Sequence, residues 1–459
     1  MLLTACASVP QMGDPAPLRG PETLASAGSF SGVGDGAFPT DHWWQTLGDP
    51  ALTRLIEEAI SQSPDIAIAQ ARILTAEAIL VRADAAANDP VVTLDASGGA
   101  QRPSGNQGFP PGLIPGTVRS QGRIAGTVAF DPDLWGRNRA ALAAATSDAD
   151  AARVDAEQAK LMLTTGLAAT YAELARLYAQ RDVASAAVRI ARQTATISLS
   201  RQRAGLDNMG AANSAMARQA SAIERERALD AAIALTGNAL AELTGAGPDR
   251  ALEIGRPILH AASTPTLPAN LSVNLIARRP DIQAARLRAE SAAARIGVAR
   301  ADFYPSVNLM AVAGLQSIGI GNLLSGTSFT GSIGPSLRLP IFAEGVIAAR
   351  YRGARAEYDI ARAQYDAVLT AALREVADAI TTKRALASQI ASATSAVTLG
   401  EAAQHIAELR YTHGLSNQLP LLAAEDATIA AKQRLEMLQS DNLAADIALI
   451  RALGGGYGE

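Results

Sequence analysis

Residues able to do chemistry are sparse in this chain. His42, His260, His405 and His413 are scattered, and only His405 and His413 come near each other, eight residues apart with Gly414 immediately after. Two histidines at that spacing are a weak metal signal. No GxSxG elbow, HExxH or GxxxxGK[ST] loop occurs. The glycine-rich "GIGIGN" lies between two expected strands rather than at a strand-to-helix turn, so it does not read as a nucleotide cradle. Carboxylates and arginines recur along helical stretches, where they read as solvated faces and intersubunit partners. The expectation is therefore a non-enzyme without catalytic residues, cofactor or metal, and a passive structure opened by partners.

Cys6 is the only cysteine, which rules out an intrachain disulfide framework. It closes "LLTAC", with small residues before the thiol and a Pro/Gly/Ser-rich tail after it. That pattern looks like a bacterial lipoprotein box, whose cysteine becomes the acylated first residue of the mature chain. A full secretory signal carries a basic region and an apolar region, whereas only five residues precede Cys6. The expectation is a truncated or misassigned start, the alternative being an ordinary free cysteine near the terminus.

These residues must be positioned by long helices. At 459 residues the chain is 48% hydrophobic yet 4% aromatic, because alanine supplies so much of the apolar count. Alanine is the best helix former and a poor filler of thick cores, so close-packed helices are expected. The net charge of −4 and pI of about 5.7 give no basic surface for nucleic acid. No run of 18 apolar residues is present, so contact with a membrane would be by lipid or by strands.

The chain says one thing twice. Pro64, Asp65, Ile66, Ala69, Arg72, Ala76 and Ala78 recur as Pro280, Asp281, Ile282, Ala285, Arg288, Ala292 and Ala294. Residues 1–40 read as a leader and extended segment, 41–250 as a first repeat, 251–270 as a connector and 271–459 as a second repeat. Each repeat runs helix, two strands, long helix, break, helix. In the first, a helix from about Pro50 to Ala87 has Asp49 as N-cap and a break before Pro64. "DHWW" opens this part, and Trp43 and Trp44 read as anchors at the start of the fold or at a membrane interface.

After Asn88 the period becomes two. Val92, Leu94 and Ala96 face away from Thr93, Asp95 and Ser97, and Ile124, Gly126, Val128 and Phe130 line one side of the next strand. From Leu134 to Arg203 there is no proline and only Gly136 and Gly166, enough helix to span roughly 105 Å. Gly205 breaks it, and a second helix returns to about Leu243. The second repeat expects a helix from about Leu271 to Ala301, then Val307, Leu309, Ala311 and Ala313 on one strand face. Phe329, Ile333, Leu337 and Leu339 follow on the next strand. A helix from Ala343 to Thr412 then breaks at Gly414, and a last helix reaches Leu453. Val376, Ile380, Ala387, Ile390, Ala393 and Val397 trace a coiled-coil seam.

Four strands with one apolar and one polar face suit a membrane barrel wall, but a barrel needs about eight. Oligomerisation would solve the unpaired edges. The competing readings are a soluble sheet packed on helices, or an elongated, lipid-anchored coiled-coil rod.

Four segments carry a family resemblance: "WWQTLGDPALTRLIEEAISQSPDIAIAQAR", "FDPDLWGRNRA", "LIARRPDIQAARLRAESAAARIGVARADFYPSVNL" and "GPSLRLPIFAEGVIAARYRGARAEYDIARAQY". From Trp43 onward the sequence resembles the TolC-type outer membrane efflux family, in its lipoprotein branch (the OprM- and NodT-like proteins). The resemblance implies a mainly α fold with a small β part. Long coiled-coil helices would form a periplasmic α-barrel, and four strands per chain would join a trimeric transmembrane β-barrel. It further implies a homotrimer in the outer membrane of a Gram-negative bacterium, anchored by lipid on Cys6. Its partners would be a periplasmic adaptor and an inner-membrane pump, and its role a passive exit for drugs and other small molecules. Protein secretion and metal efflux are the alternatives within transport. The periplasmic gate of the family maps to "LRYTHGLSNQLPLLAAEDA", where Tyr411 and Gly414 match. Ala423 and Pro420 stand where the family usually has an acidic and a polar residue, so no carboxylate ring carries over. Asp207, Glu425 and Asp426 are the carboxylates left to hold a closed gate, with plain helix-surface solvation as their other reading.

Overall fold

A computed structural model describes residues 8–25, 28–30, 38–102, 117–259, 278–339 and 341–457. The elements are α1 (Pro50–Gln62), α2 (Pro64–Asn88), β1 (Val91–Gln101), β2 (Arg119–Phe130), α3 (Arg137–Arg203) and α4 (Met209–Leu243), followed by α5 (Pro280–Ala301), β3 (Ser306–Ile318), β4 (Phe329–Arg338), α6 (Glu344–Thr412) and α7 (Gln418–Ala452). Cys6, His260 and the expected helix start at 271 lie outside the described residues. The described part of that helix begins at Pro280, whose fixed φ suits a first helical position.

The helices start and stop for local reasons. Asp49 accepts from the Ala51 N–H at 2.8 Å with Pro50 at the first position. Ser63 ends α1 in an extended conformation, and Pro64, which lacks an N–H, opens α2. Asp133 accepts the N–H groups of Asn138 and Arg139 and so caps α3.

The chain divides into two compact units. The first combines Met1–Leu18, Ile73–Ala152 and Ala284–Tyr365. It holds one antiparallel sheet in the order β1-β2-β3-β4, so the two hairpins join through β2 and β3. In the same unit, Phe303, Ile347, Tyr351 and Tyr358 pack with Ala292, Ala299 and Ala354 in a helix–helix core. Trp135 stacks on Tyr304 at 4.6 Å and donates its ring N–H to the Pro305 carbonyl at 2.7 Å, tying the start of α3 to the start of β3.

The second unit combines Arg19–Arg72, Arg153–Gln283 and Asp366–Glu459. Trp43, Trp44, Leu52, Ile56, Leu167 and Tyr171 are sealed in its largest core, with Leu240 and Ile450. Both tryptophans are 2% exposed, so they are anchors of this core. The expected α6 seam holds at Val376, Ile380 and Ala393 but not at Ala387, which is exposed while Leu386 is buried. Val376, Ala379, Lys383, Leu386, Ile390, Ala393 and Val397 alternate steps of three and four, the coiled-coil rhythm, and that line includes a lysine.

Candidate functional site

No described helix is long and apolar enough to cross a membrane. The sheet presents another kind of apolar surface. Register places Val92 opposite Val128, Val128 opposite Ala311, and Ala311 opposite Ile333, one row across all four strands. Side chains alternate faces along a strand, so Leu94, Phe130, Leu309 and Leu337 share this face. Within the single chain it is bare: Val92 is 68% and Ile333 88% exposed. The opposite face carries the row Asp95, Ala125, Gly314 and Thr330, with Thr127 and Ser332 nearby. A sheet apolar on one face and polar on the other fits a barrel wall between lipid and water.

The two helix breaks are built alike. Gly205 and Gly414 each take φ +71°, the left-handed conformation that ends a helix. In each, the following leucine N–H reaches back, Leu206 to Arg201 O at 2.9 Å and Leu415 to Arg410 O at 2.8 Å. Asn208 and Asn417 then cap α4 and α7 by accepting from Ala211 N and Leu419 N.

The expected gate carboxylates are not brought into one cluster by the single chain. Asp207 binds Arg201 within the first break at 2.7 Å. At the second break Ser416 takes the corresponding place, leaving Arg410 without that partner. Tyr411 is exposed beside Gly414. Glu425 is half-buried, and Asp426 is exposed. Asp426 lines a groove of about 540 Å³ with Arg225, Glu224 and Ile429, where α3, α4 and α7 meet. His413 Nδ1 lies 2.7 Å from the Leu409 carbonyl, and His405 lies beside Glu408 on its own helix. Among the described residues no group of three His, Cys, Asp or Glu could hold a metal ion.

Three buried polar groups hold the second unit, and of them only Asp49 was singled out from sequence, as an N-cap. Asp49, besides capping α1, accepts from Tyr171 Oη and Ile258 N, each at 2.9 Å. Burial pushes its carboxyl up, but these hydrogen bonds and that from Ala51 outweigh burial and hold it below the usual carboxylate range. Arg279 binds Asp281 at 2.7 Å and Glu375 at 2.8 Å and donates to the Ala452 carbonyl at 3.0 Å. Lys383 meets Asp446 at 2.6 Å and donates to the side-chain Oδ1 of Asn442 at 2.7 Å. Burial raises the Asp446 pKa more than the lysine lowers it. "RRPD" was visible as a motif, but its function as a three-way tie needs the tertiary positions of Glu375 and Ala452.

The outer membrane efflux protein family profile matches residues 55–246 and 271–455, most of the chain and both copies of the repeat. The chain belongs to the outer membrane efflux protein family. Among its relatives, the multidrug resistance outer membrane protein MdtP of Escherichia coli is 30% identical over 464 residues, covering 99% of this chain and 94% of that protein. The toluene efflux pump outer membrane protein TtgC of Pseudomonas putida is 28% identical over 100% of this chain and 94% of its own length. The solved structure of the outer membrane protein VceC from Vibrio cholerae superposes with a TM-score of 0.83 at 38% identity, covering 92% of this chain and all of VceC. This member of the family is thus an outer membrane efflux protein with the TolC-like fold, and its bare apolar sheet face is the part suited to lipid.

Proposed function

We propose that this family member is the passive exit duct of a tripartite efflux system. The observation that carries the reading is the apolar row Val92–Val128–Ala311–Ile333, continuous across a sheet whose two outer edges have no partner strand among the described residues. Exposed strand edges do not occur in the hydrocarbon of a membrane, because each unpaired backbone group costs several kcal/mol there. Four strands are too few to close a barrel; three copies supply twelve and remove every edge. The long helices continue the duct in the periplasm, where an adaptor and an inner-membrane pump dock. The pump supplies energy and the duct conducts small organic molecules, as the multidrug and toluene names of the relatives suggest. Cys6 carries the lipid anchor. Asp207, Tyr411, Gly414, Glu425 and Asp426 belong to the periplasmic gate, where carboxylates of one copy meet cations of its neighbours.

Deletion of the protein in its native host, followed by growth with structurally unrelated inhibitors, tests the reading. Increased susceptibility restored by the intact protein is expected. Unchanged susceptibility and unchanged dye accumulation would contradict it.

A further inference from the structure

The repeat specifies how one copy meets the next. Hairpin pairing puts Val91 opposite Ala129 and Ser306 opposite Arg338, and Val91 and Ser306 each follow a proline. Ala129 is therefore the repeat equivalent of Arg338. The same offset carries Asp133 to Phe342, both at positive φ, and carries Gly205 to Gly414 and Asn208 to Asn417. The offset that carries Val91 to Ser306 carries Asp95 to Met310. Inside the chain, β2 joins β3 with Ala129 opposite Met310. The free edges are β4 and β1, which are the repeat equivalents of β2 and β3.

We propose that β4 pairs antiparallel with β1 of a second copy in the register of β2 and β3, setting Arg338 opposite Asp95 of that copy. This inference rests on the closed-barrel reading and fixes its register.

Two observations independent of the offset agree with it. The pair has opposite charge, and among the described residues Asp95 meets only the Thr93 hydroxyl, at 3.4 Å. The faces also match: Leu337 falls opposite Ala96 and Ile333 opposite Ala100, while Ser336 falls opposite Ser97. A slip of one residue would set Arg338 against Leu94 or Ala96 and turn apolar positions to the polar face. A slip of two would preserve the faces but set Arg338 against Thr93 or Ser97, losing the charge pair. Pro335, opposite Gly98, removes one N–H donor from the ladders and leaves the rest intact.

The test is disulfide linking in the outer membrane, with Cys6 retained throughout and the parent chain as control. Directly paired strand residues lie within the roughly 4.4–6.8 Å Cα separation of a disulfide, whereas residues two positions off do not. Asp95→Cys with Arg338→Cys should give covalent trimers at about tenfold the yield of Asp95→Cys with Ser336→Cys or Ser97→Cys with Arg338→Cys. Charge reversal supplies a second readout. Asp95→Arg or Arg338→Asp alone should reduce detergent-resistant trimer about fivefold, and the two together should restore it. Trimers that link only in a shifted register, or not at all, would overturn the register and leave the trimeric duct standing. A parent chain that is monomeric in the membrane would overturn both.

Discussion

Lys383 and Asp446 face each other across the α6–α7 seam, Nζ to Oδ1 at 2.6 Å, with both side chains almost wholly withdrawn from solvent. Lys383 occupies a seam position between Ala379 and Leu386, where an apolar residue would pack best. A buried pair of this kind gives little net stability, yet breaking it leaves an uncompensated charge. Lys383→Ala should therefore cost about 3–5 kcal/mol, while Lys383→Met with Asp446→Leu should be neutral or stabilising. Denaturant midpoints of the three proteins in detergent check this. A double variant as weak as the single one would contradict it.

Asp49 and Asp446 should give opposite pH signatures. Asp49 has its pKa lowered in the folded chain, so its stabilisation is present above its unfolded value of about 3.9 and is lost as pH falls through the folded value. Asp446 has its pKa raised, so the folded state holds its proton longer, and stability falls as pH rises from about 3.9 through the folded value. Unfolding midpoints across pH 2–7 should show Asp49→Asn flattening the loss on the acid side and Asp446→Asn flattening the loss on the rising side. The reverse assignment would refute the burial argument.

Gly205 and Gly414 hold left-handed turns that a Cβ disfavours. Gly414→Val should cost about 1–2 kcal/mol of helix-end stability. Nothing lies within 4 Å of a Cβ at either position, so the penalty is conformational rather than steric crowding. Hydrogen exchange at Leu415 and Gly414 should speed up, while exchange in β1–β4 should stay unchanged. Protection retained at the break would show that the turn tolerates the substitution.

The architecture was legible because its signals are periodic and repeated. Alternation over Val92–Ser97 and Phe329–Arg338 marked the strands, and the two Gly-Leu breaks marked the helix ends. Local signals did not reveal the polar ties. A lysine on a long charged helix reads as solvated, so Lys383 entered the seam only once Asp446 was placed against it. The same reading misplaced Ala387, since alanine is apolar enough to fit a seam that Leu386 fills better. Arg279 stood in a visible motif, but its partners Glu375 and Ala452 lie far along the chain. The carboxylates Glu425 and Asp426 could be located but not paired, because neither has an ion-pair partner among the described residues.

Arg279 joins the start of α5 to α6 and to the end of α7. Arg279→Met retains much of the buried stem but orphans Asp281, Glu375 and the Ala452 carbonyl, and a cost of about 3–5 kcal/mol is expected. Arg279→Lys should recover only part of it, since an ammonium cannot bind Asp281 bidentately. Thermal unfolding of the two variants checks the order, and equal midpoints for Lys and Met would contradict the fork geometry.

Conductance of the detergent-purified protein in a planar lipid bilayer tests the duct most directly. Discrete unitary openings are expected, and larger ones when Glu425→Ala and Asp426→Ala are combined. An inserted trimer that passes no current in either form, under any applied potential, would contradict the channel.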